Sequence, residues 1–180
     1  MIYVMLAEGF EEIEALAFVD ILRRAGVDVQ TVSIHDTNIV TGAHNIRVVA
    51  DCVIREVDAE AMDGIVLPGG MPGAQNLKDS KTVTQLLQYA HKQDKLIGAI
   101  CAAPMVLGML GLLEGKKAIC YPGYESELHG AAICEARVVE DGMIITSMGP
   151  GTTAEFAGAF VRRICGAPAA DTILHSMQYV

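Results

Sequence analysis

Residues 2–7, IYVMLA, form an unbroken apolar run, as expected of a strand buried on both faces. The polarity then turns helical across EEIEALAFVDILRRAG, where Ile13, Leu16, Ala17 and Ile21 recur on one stripe and Gly26 marks the stop. VDVQTVSI (27–34) alternates in the manner of a strand. Residues 38–57 are β-rich around a turn at Thr41-Gly42, which predicts a small antiparallel appendage. GIVLPGG (64–70) predicts a second buried strand ending in glycines, and SKTVTQLLQYAHKQD a helix with Ser80 as its N-cap. KLIGAI predicts the next strand, AAPMVLGMLGLL the helix after it, and KKAICY a fifth parallel strand. ARVVEDGMIITS reads as two strands joined through Asp141-Gly142, a strong hairpin signal. GTTAEFAGAFVRRICG predicts a helix, with a short one after it. Repeated β-α-β with buried strands implies an α/β fold: a doubly wound three-layer sandwich with right-handed crossovers, a mainly parallel sheet and the small antiparallel appendage. No repeat or linker divides the chain, so one domain is expected over 1–180.

Composition narrows this picture. The chain is 52% hydrophobic yet has four Phe and no Trp, so the core must be mostly aliphatic. The net charge of −9, with no cluster of Lys and Arg, argues against nucleic-acid binding. Cysteines at 52, 101, 120, 134 and 165 are odd in number and irregularly spaced. That pattern fits free thiols in a reducing compartment better than a disulfide framework or a zinc site. The N-terminus lacks a basic segment before its short apolar run, and no stretch approaches the roughly 18 apolar residues of a membrane span. The expectation is a soluble, cytoplasmic protein with no membrane partner.

In folds of this class ligands bind beyond the C-terminal ends of the strands. Cys101, in GAICAAP, stands where a strand turns into a helix. It is either a small side chain filling the core or the nucleophile of a strained elbow, for which Ala99 and Ala103 are small enough. In the second case amides at the helix N-terminus should depress the thiol pKa, and the Ala102 N–H would face whatever the sulfur attacks. Gly69 and Gly70 make a tight turn or supply a second donor. Without G-x-G-x-x-G or G-K-[ST], a dinucleotide or phosphate-loop reading is weak. Glu11 and Glu12 read as surface charges that suit the helix dipole. Glu14 is one more such charge, or an acid facing a pocket, kept protonated and able to donate to a thiolate. Gly149, Pro150 and Gly151 make a turn, with Thr152 or Thr153 as an N-cap.

Taken in order, AEGFEEIE, VDILRRAG, VLPGGMPGAQNL, GAICAAP and ITSMGPGTTAEFA resemble the ThiJ/PfpI superfamily, and within it the parkinsonism-associated deglycase branch. The likeness spans nearly the whole chain. It implies a flavodoxin-like, class I glutamine amidotransferase-like fold. It makes Cys101 the reactive cysteine, Glu14 the protonated carboxyl bonded to it, and Gly70 and Ala102 the oxyanion-binding amides. Tyr121 and Pro150 would line the site, and no metal or cofactor is implied. A homodimer is implied too, its interface including the first helix with Ile13 and Arg24. The activity implied is a cysteine-dependent deglycase or glyoxalase acting on methylglyoxal-like oxoaldehydes or their glycated adducts. The alternative is a redox-sensing, stress-protective or chaperone-like protein with an oxidisable cysteine. Two departures matter. Ala102 stands where protease-type members place a His directly after the Cys, which argues against a protease triad. Tyr121-Pro122 stands where the deglycase branch often has His-Pro, and His129 would substitute only if its loop folds back.

Overall fold

Five consecutive apolar residues leave neither face of a strand for solvent, and β1 (Ile2–Leu6) is accordingly buried along its whole length. In the computed structural model, which describes residues 1–179, this strand lies inside a seven-stranded sheet. Val180, the last residue of the expected domain, lies outside the described residues. The chain continues through α1 (Glu12–Arg24), β2 (Val29–Ser33), β3 (Ile39–Thr41), β4 (Arg47–Val49), β5 (Cys52–Val53) and β6 (Gly64–Leu67). Next come α2 (Gly73–Asp79), α3 (Lys81–Lys92), β7 (Leu96–Ile100), α4 (Pro104–Met109), β8 (Lys117–Ala118) and β9 (Ala132–Ile133). β10 (Val138–Asp141), β11 (Ile144–Ser147), α5 (Thr153–Cys165) and α6 (Ala167–Ser176) complete it.

The sheet order is β10-β11-β7-β6-β1-β2-β5, parallel throughout except for the β10–β11 hairpin. Alternate side chains of each central strand point to opposite faces. Met5, Ile65 and Ile97 pack against α2, α3 and α4, whereas Val4, Val66 and Ile145 pack against α1, α5 and α6. The three-layer, doubly wound sandwich expected from the periodicity is therefore present. The antiparallel appendage is present as well, as the β3–β4 hairpin, but it takes only part of 38–57: β5 pairs in parallel with β2 at the edge of the main sheet.

Three elements differ from expectation. KKAICY is not a strand of the main sheet: only Lys117–Ala118 is extended, in a two-residue ladder with β9. The place beside β7 belongs to β11, which pairs with it from Ile144↔Ile97 to Ser147↔Ile100. Ile119 N instead donates to the Thr146 side-chain hydroxyl at 3.0 Å. The helix expected over AAPMVLGMLGLL stops at Met109, followed by Gly111 at φ +70°. A helix also forms over Gly73–Asp79, before the one that Ser80 caps by accepting from Val83 N.

Candidate active site

Strand order reverses between β1 and β6, since β2 lies on one side of β1 and β6 on the other. That opens a crevice at the C-terminal ends of the strands. Glu14 enters it from the first turn of α1, Gly69 and Gly70 from the loop after β6, and Cys101 from the end of β7.

Cys101 has φ +64°, a left-handed conformation that a side chain with a Cβ resists. Its N–H donates to Ser147 O at 2.9 Å, and its carbonyl accepts from Tyr121 N at 2.8 Å. The elbow is thus fastened on both sides. Ala99, Ala102 and Ala103 around it are buried, and Pro104 begins α4, where no intrahelical donor is needed. Gly69 must be glycine: a Cβ there would lie 2.6 Å from Cys101 Cβ and 2.8 Å from Glu14 Oε2. Its bare N–H instead donates to Glu14 Oε2 at 2.7 Å.

The backbone amides of Gly70 and Ala102 face the Cys101 sulfur and favour its charged form. The resemblance named these two, and the fold brings them together. The thiol is not depressed, however. Burial, and after it the charge and close approach of Glu14, push it up to about 12, against the two amides. α4 is only six residues long, so its dipole does little to offset them. Glu14 is 1% exposed, and burial raises its carboxyl to about 7. The Gly69 amide and the Cys101 thiol pull the other way, and the nearby Glu11 charge adds to the rise. Glu14 Oε1 is buried and has no hydrogen-bond partner among the described residues. The two acids form one unit. Protonating Glu14 removes the charge that holds the proton on sulfur, so the pair shares protons rather than titrating independently.

Glu12 was expected at the surface and is instead 5% exposed. Its Oε1 accepts from His44 N at 2.8 Å, and its Oε2 lies 2.8 Å from His44 Nδ1. Glu11 Oε2 lies 3.7 Å from the same nitrogen. Donor atoms of the three residues fall within 4.8 Å of one another, and their mutual pairing accounts for that convergence. His44 belongs to the turn between β3 and β4, and its place opposite α1 depends on how that hairpin folds back. The sequence holds only a faint signal of it, an acidic run and a distant His in a glycine-containing turn.

Tyr121 reaches the elbow through its backbone, and its half-exposed ring covers Gly149, where a Cβ would lie 3.2 Å from Cδ2. Tyr121, Met148, Gly149 and Pro150 share the wall of a cavity of about 270 Å³. Pro150 also borders a cavity of about 420 Å³ with Ile13, Ala17 and Ala154. The loop bearing His129 folds back, but onto α4, where Gly108 makes room for its backbone, and His129 itself is exposed. Arg24 is exposed and paired with Asp20 at 2.8 Å.

A model of the DJ-1/PfpI family matches residues 1–163. The chain is 40% identical to the Arabidopsis thaliana DJ-1 homologs B and A over 167 and 177 residues, 92% and 96% of its own length. It spans only 38% and 45% of theirs. It is 33% identical over 168 residues to the glutathione-independent glyoxalase DJR-1.2 of Caenorhabditis elegans, covering 93% of this chain and 89% of that protein. Among solved structures, that of oxidized Toxoplasma gondii DJ-1 superposes with a TM-score of 0.94 at 39% identity, covering 98% of this chain and 97% of that one.

Proposed function

The chain belongs to the DJ-1/PfpI family, and from that premise we propose that it is a cysteine-dependent, cofactor-independent glyoxalase or deglycase acting on small oxoaldehydes or their adducts. One observation carries this reading. A buried carboxyl that holds its proton up to about 7 is coupled to an elbow cysteine whose sulfur is faced by two backbone amides. The glyoxalase name of the Caenorhabditis elegans relative supports the choice of substrate.

In the proposed reaction the Cys101 sulfur attacks the aldehyde carbon of methylglyoxal. A C–S bond forms, the carbonyl π pair moves to oxygen, and the resulting oxyanion takes the thiol's proton to give a hemithioacetal. The Gly70 and Ala102 amides stabilise the developing oxyanion. As carboxylate, Glu14 removes the proton from the former aldehyde carbon and as acid returns it to the neighbouring carbon, while the hydroxyl proton on the first carbon passes to the neighbouring oxygen. The hemithioacetal thereby becomes a lactoyl thioester. Water cleaves the C–S bond, releasing lactate and restoring the thiol, so the sum is methylglyoxal plus water to lactate. Tyr121 and Pro150 form the apolar wall of the site in this reading.

The test is lactate formation from methylglyoxal by the wild type, Cys101→Ser and Glu14→Gln. Loss of activity is expected in both variants, by about 10²-fold or more for Glu14→Gln. Turnover undiminished in either would overturn the assignment. A second reading, an oxidisable sensor cysteine, draws on the same amides, which would hold a sulfinate, and on the oxidized state named for the Toxoplasma gondii structure. Peroxide titration followed by intact mass separates the two: two oxygens added at Cys101 without aldehyde turnover would favour the sensor. We further propose a homodimer that uses the exposed Ile13 and Leu16 of α1.

A further inference from the structure

The loop that carries the Gly70 amide is gripped by the first turn of α1. Glu11 N donates to Gly69 O at 2.9 Å, and Gly69 N donates to Glu14 Oε2 at 2.7 Å, so one peptide residue stands between the two glutamates. Glu11 is the N-cap of α1 and Glu14 lies three residues on, the spacing that sets side chains on one face of a helical turn. On the far side the β3–β4 hairpin clamps the segment between β1 and α1 that leads into this turn. Gly9 N donates to Thr41 O and Ala43 N to Phe10 O, both at 2.8 Å, and Thr41 N donates to Glu8 Oε2 at 3.1 Å. His44 completes the clamp, held by Glu12 at 2.8 Å and facing Glu11 at 3.7 Å.

We propose that Glu11 and His44 are positioning residues for the Glu14 proton, with His44 setting how much of the Glu11 charge reaches the buried carboxyl. The inference rests on the reading that this proton serves Cys101. Charges around the circuit are Glu8, Glu11 and Glu12 from the segment between β1 and α1, His44 from the hairpin, and the Glu14–Cys101 pair itself. Among the described residues no Lys or Arg is ion-paired with any of these carboxylates, and His44 is the cation paired with Glu11 and Glu12. Ionised Glu11 disfavours a second negative charge on Glu14 and so keeps the proton there. Protonated His44 offsets Glu11 and makes that proton easier to lose. Glu12 orients the imidazole and holds His44 protonated above its usual range. The pair therefore replaces part of the charge control that an imidazole beside the sulfur would exert, from a residue outside the pocket.

The experiment follows the carboxylic C=O infrared band of Glu14, identified by its absence in Glu14→Gln, through a pH titration of the resting protein. Glu11→Gln should lose the band at lower pH than wild type. His44→Ala should lose it at higher pH, and His44→Arg, which keeps the cation at every pH, at lower pH. Because His44 acts on Glu14 mainly through Glu11, adding His44→Ala to Glu11→Gln should shift the band much less than His44→Ala does alone. Titration at the wild-type pH in Glu11→Gln and in both His44 variants would overturn the proposal, as would an upward move in Glu11→Gln. The readout needs no substrate. Shifted bands without lactate formation would sink the enzymatic reading alone, and unshifted bands with lactate formation would sink this inference alone.

Discussion

A carboxyl held at about 7 in the fold, against an ordinary 4.5, is a stability statement as well as a catalytic one. The folded protein prefers Glu14 protonated. Its contribution is therefore fully present below about pH 4.5 and drains away as the pH rises to about 7. Above that the loss is constant, on the order of 3 kcal/mol for a displacement of this size. Glu14→Gln keeps an acceptor for the Gly69 amide and carries no charge. The variant should thus be more stable than wild type at pH 8, with a gap that closes toward pH 4.5, while losing activity. Urea unfolding at several pH values checks this, and an equal or smaller stability at pH 8 would contradict it. Cys101 stores strain of another kind. At φ +64° a left-handed side chain costs about 1–2 kcal/mol, so Cys101→Gly should also stabilise the fold while removing the nucleophile.

At the scale of elements, the elbow is only as rigid as the strand beneath it. β7 runs over the Phe18–Phe156–Phe160 cluster, whose rings meet at centroid distances of 5.0–5.4 Å. Gly98 lets the strand lie directly on them, because a Cβ there would come within 2.6 Å of Phe160 Cζ and 2.9 Å of Phe156 Cζ. Gly98→Ala should cost about 1–3 kcal/mol by overpacking and lower the melting temperature by roughly 3–10 °C in a scanning-calorimetry run. An unchanged melting temperature would mean that the rings yield freely. β1, β6, β7 and the β10–β11 hairpin were legible in the sequence because each is a whole apolar run or carries a turn signal within itself. KKAICY has the same local signature as those strands, but β11 makes a four-pair ladder with β7, and no local pattern records which strand takes the slot. α2 was hidden because Gly73 and Asn76 are poor helix formers, and packing of Ala74 and Leu77 into the core outweighs that propensity. The Cys101–Glu14–Gly70–Ala102 grouping was legible as four strand-end motifs in order. His44 was not, since it reaches Glu12 from 32 residues away through the hairpin.

At the scale of the whole molecule, the exposed apolar face of α1 sets how one chain meets another. Apart from Ile21, the stripe read from the sequence is not the buried one: Ala15, Phe18, Val19, Ile21 and Leu22 pack inside, whereas Ile13 is 55% and Leu16 37% exposed, and Ile13 borders the cavity that Pro150 and Ala154 line. Those residues adjoin the Glu14 turn, so an interface here would close one side of the site. The net charge of −9 on each chain opposes self-association, which leaves apolar contact to supply the attraction. Two consequences follow from that balance. Sedimentation should report a dimer that tightens with added salt, because screening weakens the repulsion and leaves the apolar contact intact. Ile13→Glu should shift the population to monomer, since it removes buried apolar area and adds a carboxylate near its symmetry mate. A wild type that sediments as a monomer at every protein and salt concentration would rule the interface out. In a monomeric but folded Ile13→Glu variant, the Glu14 infrared band should titrate at higher pH than in wild type. A single chain already buries Glu14 to 1% exposure, so losing the partner leaves that burial in place, and the new carboxylate beside it disfavours a second negative charge.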